Sequence, residues 1–318
     1  MAGITLYYHE ADEIRVSKDL DLLRQRPMSD FVWIDMNNVS RSTEEKLEDI
    51  LKIYILEEWE IEEIESSSRY SETEEYIVAN SNFLQLKQDE FREENVSFIL
   101  KNNILVSVRD GDLPSFTLTE RKVMTNPRNY RSGYSILVTL MATRIDFDAD
   151  LVENINREIS TLSRSMTTRR EVDEELIHTI KNLQEKSMTL LETIIDKQRV
   201  ISSMMKSPKF PHHEKPILTI IFKDINSLID YSKFNFERLE YLQNTFLGLV
   251  NIEQNKIIKI FTVVTIIFMP PTFISSIYGM NFEHLPGSSW FMGFYAIIAF
   301  MLFVSVGMLW FFRQKKWL

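Results

Sequence analysis

Residues 251–281 read NIEQNKIIKIFTVVTIIFMPPTFISSIYGMN, and this stretch decides the architecture of the C-terminal part of the chain. From Ile260 to Tyr278 it contains 19 consecutive residues without a charge, and a second uncharged run of 23 residues extends from Trp290 to Phe312. At about 1.5 Å per helical residue, each run reaches roughly the 30 Å of a hydrocarbon core. Two transmembrane helices are therefore predicted; the alternative is two buried helices of a soluble domain.

The charges that flank these runs indicate how they cross a membrane. Two lysines precede the first run, and Arg313, Lys315 and Lys316 follow the second, whereas the loop between the runs contains neither Lys nor Arg. Because cytoplasmic flanks carry the excess of basic residues, we expect both termini in the cytoplasm and residues 279–289 outside. The N-terminus has no basic region followed by an apolar stretch, so we expect no cleavable signal peptide.

Composition excludes several classes of protein. The chain of 318 residues has no cysteine, so disulfides and thiolate metal sites are excluded. None of its eight glycines is followed by Lys, so there is no phosphate-binding loop for a nucleotide. No paired carboxylates or nucleophile motif stand out, and we expect no enzyme activity. Residues 1–254 contain 31 bases against 45 acids, which argues against nucleic acid as a partner.

The cytoplasmic part is predicted to begin with an α/β domain at residues 1–130. Runs typical of strands occur at ITLYY, FVWIDM, YIVANSNFLQL, VSFIL and ILVSVRD. Helical spacing occurs between them at TEEKLEDILKIY and LEEWEIEEIE. Residues 131–216 are predicted to form two long helices, with a break near Thr167–Glu171 and a loop at the proline-rich KSPKFPHHEKP.

Residues 217–278 are predicted to form one stalk helix that continues as the first span. No strong helix breaker occurs before Pro270, so the helix would be roughly 90 Å long. Pro270 and Pro271 remove two backbone donors, free the carbonyls of Ile266 and Ile267, and predict a bend. An external loop at 279–289, a second span at 290–312 and a basic cytoplasmic tail at 313–318 would complete the chain.

One face of this stalk helix carries nearly all the polar side chains of the first span. Its members alternate at intervals of four and three residues, so they stay within an arc of roughly 100°. This polar stripe consists of Asn244, Gly248, Asn251, Asn255, Ile258, Thr262, Thr265, Met269, Thr272 and Ser276. Lipid-facing positions should be apolar, as Val263, Val264, Ile267 and Phe268 are. A water-lined pore accounts for the stripe, and so does dry packing with hydroxyls bonded to the preceding turn.

The segment NIEQNKIIKIFTVVTIIFMPPTFISSIYGMNFEHLP, followed by a second span and a terminal KKWL, closely resembles the CorA family of divalent-cation transporters, in particular its bacterial magnesium members. The similarity is strong from Asn251 to Leu318 and weaker but colinear over the rest. Tyr-Gly-Met-Asn at 278–281, after a Met-Pro-containing span, is its specific feature. The resemblance implies a funnel-shaped homopentamer in the inner (plasma) membrane of a prokaryote, with five copies of the first span lining the pore.

The resemblance also implies a function and a set of site residues. The function is passive, potential-driven uptake of Mg2+, with Co2+ and Ni2+ as further cargo. The selectivity filter would be Gly279, Met280 and Asn281, with Tyr278 supporting the loop; Glu283, two residues further out, would concentrate cations at the mouth. The resemblance and the polar stripe together predict the pore-lining and gate residues Thr272, Met269, Thr265, Phe261, Ile258, Asn255, Asn251 and Asn244.

Regulation is implied at acidic positions of the cytoplasmic part. Asp89, in LKQDEF, and Asp224, early in the stalk, lie near positions where family members place intersubunit carboxylates, so the resemblance makes both candidates for sensing intracellular Mg2+. Each is equally well explained as a solvated acid. Hard cations take oxygen ligands, which suits the acidic excess of this part.

Three alternatives stay open at the level of sequence. A zinc or broad-range divalent-cation exporter of the same superfamily would carry a similar pore. His212 and His213 offer a softer metal site, although a histidine pair in a loop is more often merely exposed. A membrane-anchored scaffold or signalling protein would also have long helices, but the polar stripe and the short external loop argue against it.

Overall fold

The chain folds into two compact units, seen in a computed structural model that describes residues 3–56, 60, 69–87, 90–168, 174–281 and 290–315. The front unit comprises Met1–Thr168 and Glu175–Leu242. The C-terminal unit comprises Arg169–Glu174 and Gln243–Leu318. One long helix contributes residues to both units.

The front unit contains a seven-stranded mixed sheet within the described residues. Its strands are β1 (Gly3–Glu10), β2 (Glu13–Ser17), β3 (Phe31–Asn37), β4 (Tyr70–Glu72), β5 (Ile77–Lys87), β6 (Glu90–Lys101) and β7 (Ile104–Arg109). Their order in space is β2-β1-β3-β7-β6-β5-β4. β3 and β7 run parallel, with Trp33 opposite Leu105, and the other five neighbouring pairs are antiparallel. Asn102 and Asn103, both at positive φ, form the two-residue turn that joins β6 to β7.

The described helices account for the rest of the regular structure. They are α1 (Leu22–Gln25), α2 (Arg41–Leu51), α3 (Pro114–Thr125), α4 (Gly133–Thr168), α5 (Glu174–Lys206), α6 (Lys215–Tyr278) and α7 (Gly293–Gln314), with 3-10 turns at Met28–Asp30 and Pro127–Asn129. α2 is the helix predicted at TEEKLEDILKIY; it ends where Lys52 takes a left-handed conformation. Most of LEEWEIEEIE lies outside the described residues. α6 passes through Pro270 and Pro271 without a break, and the predicted bend there stays a prediction.

The two faces of the sheet are covered differently. On one face, alternate residues of β3 and β7 such as Ile34 and Val106 pack with Leu47 of α2 in an apolar core. On the other face, Phe83 and Phe98 of the sheet pack around Phe116 of α3, with ring centroids 6.1 to 6.4 Å apart. This second face also holds buried charges, because the strand alternation turns polar residues inward there.

Three charged side chains are almost completely buried where α4 and α5 meet the sheet. Arg144 donates to Asp148 Oδ1 (Nε–Oδ1 3.0 Å) and to the carbonyl oxygen of Leu84 in β5 (2.9 Å). Lys197 Nζ of α5 lies 3.2 Å from Asp148 Oδ2. Burial lowers the pKa of the Lys197 ammonium to about 8, against the opposing attraction of Asp148. This charged cluster therefore links α4, α5 and the sheet.

Candidate functional site on the C-terminal helices

The C-terminal part of α6 and the whole of α7 are long and apolar enough to cross a membrane. Large apolar side chains on both helices are exposed in the single chain, among them Phe273, Phe291 and Phe303. Apolar surfaces of this extent are unstable in water and are stable against lipid or against other helices. The two helices are the transmembrane segments that the sequence predicts.

One face of α6 is covered by α7. Val263 and Ile267 form a small buried cluster with Phe312 of α7, and Met308 packs against it. The expectation that Val263 and Ile267 face lipid is therefore wrong, although Val264 is exposed as expected. Both environments are apolar, so side-chain chemistry along α6 could not distinguish a neighbouring helix from lipid.

The polar stripe lies on the opposite side of α6 from this contact. At 100° per residue, the stripe residues within the first span, from Ile258 to Ser276, point roughly 140–180° away from Ile267. All ten residues of the stripe are exposed in the single chain. The second span therefore leaves the stripe open, either to water or to further copies of the chain.

The three threonine hydroxyls of the stripe bond within their own helix. Thr262, Thr265 and Thr272 each donate from Oγ1 to the carbonyl oxygen four residues earlier, at 2.8 to 2.9 Å. These bonds satisfy the donors, as the dry-packing alternative requires. They also leave the oxygen lone pairs as acceptors on the exposed face. A row of acceptors is suited to the water molecules around a cation, which present their hydrogens outward.

The predicted filter begins where α6 ends. The backbone N–H of Gly279 donates to the carbonyl oxygens of Ser275 (3.0 Å) and Ser276 (3.2 Å), which closes the last helical turn. A Cβ on Gly279 would lie 3.3 Å from the Ser275 oxygen, closer than ordinary van der Waals contact. The φ of Gly279 is not positive, so glycine here permits a close approach to carbonyl oxygens. Met280 and Asn281 follow, both exposed.

The remaining predicted pore residues lie on α6 as expected from its helical period. Ile258, Phe261 and Met269 expose 61%, 69% and 67% of their surface. Asn244, Asn251 and Asn255 are exposed nearer the N-terminal end of the same face. Tyr278, the predicted support of the filter, is half-buried. Glu283 lies outside the described residues, as do the other positions of 282–289.

The structure describes only one of the two predicted regulatory residues, Asp224. Asp89 lies outside the described residues, and Asp224 is exposed on the part of α6 that belongs to the front unit. Within the described ranges, no three His, Asp or Glu side chains are grouped as a metal site. His212 and His213 are exposed, and His213 Nε2 lies 3.6 Å from Glu214 Oε1.

One polar contact between the two spans was not predicted. Ser305 of α7 lies with its Oγ 3.5 Å from the carbonyl oxygen of Ile267 in α6. The signal available in the sequence was that Ser305 is the only Ser or Thr in residues 290–312. A single hydroxyl in an otherwise apolar span commonly serves a contact with another helix.

Comparisons with known proteins agree with this architecture. The family model described as CorA-like Mg2+ transporter protein matches residues 28–314. The magnesium transport protein CorA of Wolinella succinogenes is 36% identical over 295 residues, which cover 91% of this chain and 92% of that protein. The protein of the same name from Campylobacter jejuni strain RM1221 is 33% identical over 315 residues, 96% of each chain.

A solved structure extends the likeness to the whole fold. The complete structure of the CorA magnesium transporter from Methanocaldococcus jannaschii superposes with a TM-score of 0.83. The match covers 100% of this chain and 99% of that one, at 21% identity. The likeness therefore concerns the fold, with its α/β front, long helices and two C-terminal apolar helices.

Proposed function

We propose a function from the premise that the chain belongs to the family of CorA-like Mg2+ transporter proteins. The protein carries Mg2+ passively into the cell through a pore lined by several copies of α6. The observation that carries this proposal is the polar stripe, which lies opposite the α7 contact and is exposed along its whole length. The relatives named above are magnesium transport proteins, which supports Mg2+ as the cargo.

Assembly follows from the number of spans. Two helices do not enclose an aqueous pore, so several copies must surround a common axis. With α7 against one face of α6, the stripe is the face that can turn toward that axis. We take the assembly to be a homopentamer in the inner membrane of a prokaryote, with both termini cytoplasmic; the number five comes from the resemblance to the family, and the orientation comes from the flanking bases.

The filter would select the hydrated ion. Mg2+ gives up its inner water molecules reluctantly, so a site that binds those waters avoids the cost of dehydration. A ring of Asn281 amide oxygens would accept hydrogen bonds from them. A ring of carboxylates would hold the dication too tightly for release, and conduction needs release as well as capture. Such a site separates hydrated Co2+ and Ni2+ from Mg2+ only weakly, so both are proposed as further cargo.

Gating would occur at the apolar positions of the stripe face. Ile258, Phe261 and Met269 present large apolar side chains there, and a ring of such side chains closes a pore by excluding water. Transport would need no nucleotide, because a dication that crosses a potential of about 100 mV gains roughly 4.6 kcal/mol. This account agrees with a family of transporters that are not enzymes.

Intracellular Mg2+ would act as the regulator as well as the cargo. Bound between subunits by carboxylates such as Asp224 and Asp89, it would stabilise the closed arrangement by preferential binding. The exporter alternative is not favoured, because the relatives at 33% and 36% identity are magnesium transport proteins.

The test is growth of a strain that lacks magnesium uptake, at limiting Mg2+. We expect the full chain to restore growth and Asn281→Ala to abolish it. Asn182→Ala, which changes an exposed amide on α5, is the matched control and should restore growth fully. Failure of the wild-type chain would contradict uptake, and growth with Asn281→Ala would contradict the filter. In the same strain, unchanged inhibition of flux by internal Mg2+ in Asp224→Ala would remove that residue from the sensor.

A further inference from the structure

The proline pair of α6 interrupts the hydrogen-bond ladder of the helix without interrupting the helix itself. α6 continues to Tyr278, seven residues beyond Pro271. Because proline has no N–H, the carbonyl of Ile267 cannot receive the bond that a residue at position 271 would otherwise donate. A carbonyl without a partner is costly in the hydrocarbon region, where no water replaces the missing donor.

Ser305 of α7 is placed to supply the missing donor. Its Oγ lies 3.5 Å from the carbonyl oxygen of Ile267. Thr262, Thr265 and Thr272 use their hydroxyls differently, since each bonds to its own helix. Ser305 instead directs its hydroxyl at the other helix, as polar side chains between spans commonly do.

The surroundings of this contact are apolar and partly buried. Ile267 packs with Phe312 of α7, and Met308 lies against the same cluster. The hydroxyl and the carbonyl therefore meet at the edge of a dry interface between the two spans. At that place a polar pair must satisfy itself, because its neighbours offer no hydrogen bonds.

We infer that Ser305 is a positioning residue, which fastens α7 to α6 at the carbonyl that Pro271 leaves free. The fastened point, the carbonyl of Ile267, lies two residues before Met269 and five before Thr272, both of them residues of the polar stripe. The bond holds α6 where the backbone hydrogen bonds of the helix are interrupted. It thereby fixes the direction in which the polar stripe faces at this height of the helix. The effect on transport rests on the proposed function, whereas the bond itself does not.

A double-mutant cycle tests the inference. Pro271→Ala returns an N–H that can donate to the Ile267 carbonyl, so the hydroxyl of Ser305 is needed only while the proline is present. In the wild-type background we expect Ser305→Ala to lower the melting temperature of the purified full chain in detergent by roughly 2 °C or more. In the Pro271→Ala background the same change should shift it by less than half as much. Ser305→Thr, which keeps the hydroxyl, should restore the wild-type value.

Flux of Mg2+ into proteoliposomes supplies the second readout. Ser305→Ala should lower the rate by about two- to threefold, and Ser305→Thr should restore it. Ser227→Ala, which removes an exposed hydroxyl of α6 that donates to the Lys223 carbonyl of its own helix, is the matched control and should change neither readout.

The outcomes separate the two proposals. Equal losses in both backgrounds, or a Ser305→Thr variant as unstable as Ser305→Ala, would overturn the inference. Coupling in the melting temperature together with a wild-type chain that carries no Mg2+ would uphold the bond and contradict the proposed function.

Discussion

The front unit and the C-terminal unit bury their residues in opposite ways. The front unit covers both faces of its sheet and encloses Arg144, Asp148 and Lys197 at no more than 3% side-chain exposure. In the C-terminal unit the described cluster of buried apolar residues has three members, Val263, Ile267 and Phe312. Aromatic side chains of the same unit remain exposed on both of its helices.

This difference shows where each unit obtains its stability. The front unit expels water and satisfies buried charges with its own groups, as a water-soluble domain must. The C-terminal unit leaves its apolar surface to lipid and its polar stripe to water or to further copies. A substitution that removes a buried partner should therefore lower the free energy of unfolding more in the front unit than an equivalent substitution does in the C-terminal unit.

Asp148→Ala should lower the free energy of unfolding more than the other substitutions considered below. It leaves Arg144 and Lys197 buried with the same sign of charge and no carboxylate between them, which costs about 3–5 kcal/mol of the free energy of unfolding. Denaturant unfolding of the full chain in detergent, followed by circular dichroism, measures it. Asp146→Ala, an exposed carboxylate on the same helix, is the control. Comparable losses in the two variants would show that the charged cluster has no special role.

The same Phe→Ala change in the two units sharpens the comparison. Phe98 is 1% exposed and stacked with Phe116. Phe98→Ala should lower the free energy of unfolding by about 3–5 kcal/mol, since it leaves a cavity in a water-excluding core. Phe312 should cost less than about 2 kcal/mol, because lipid is as apolar as the helix contact that it replaces. The same unfolding measurement applies to both. Losses of equal size would mean that the α6–α7 contact behaves like a soluble core.

Lys197→Met should change the free energy of unfolding least at neutral pH. It should nevertheless clearly change how that free energy depends on pH. Burial lowers the pKa of Lys197 from 10.5 to about 8, so above pH 8 the unfolded chain binds more protons than the folded one. Stability of the wild type should therefore rise with pH between about 8 and 10.5. The variant lacks this contribution, and at pH 7 it should be as stable as the wild type or more stable, because Arg144 and Asp148 remain as a neutral pair.

Unfolding at pH 7.5 and pH 9.5 measures that contribution. Lys181→Met, which changes an exposed lysine on the same helix, should keep the wild-type dependence on pH. If Lys197→Met keeps it as well, the buried lysine is not its source.

Much of the fold could be predicted because it depends on local pattern. The strands β1, β3, β5, β6 and β7 are confirmed where β-branched and aromatic residues are concentrated. The predicted α/β front, long helices and two C-terminal apolar helices are confirmed as well. The strands β2 and β4 were missed: they lie at the two edges of the sheet, are short, and turn few residues inward, so they lack an apolar signal.

The candidate site, too, was predicted from the sequence only where its features depend on local pattern. The membership of the polar stripe follows from helical period, and α6 carries it without a break. The roles of Asn281 in the filter and of Asp224 in regulation stay predictions. Val263 and Ile267 were placed against lipid, and Ser305 was not singled out, because the partner of each lies on the other helix.

The sequence by itself determined the two spans, the long helix and the face on which its polar residues lie. Length, charge and helical period are properties of neighbouring residues, and any fold must respect them. Only the tertiary structure decided that α7 covers the face opposite the stripe, and that Asp148 meets Lys197 in the interior. Such contacts join residues distant in sequence, and their free energy depends on the whole packing around them.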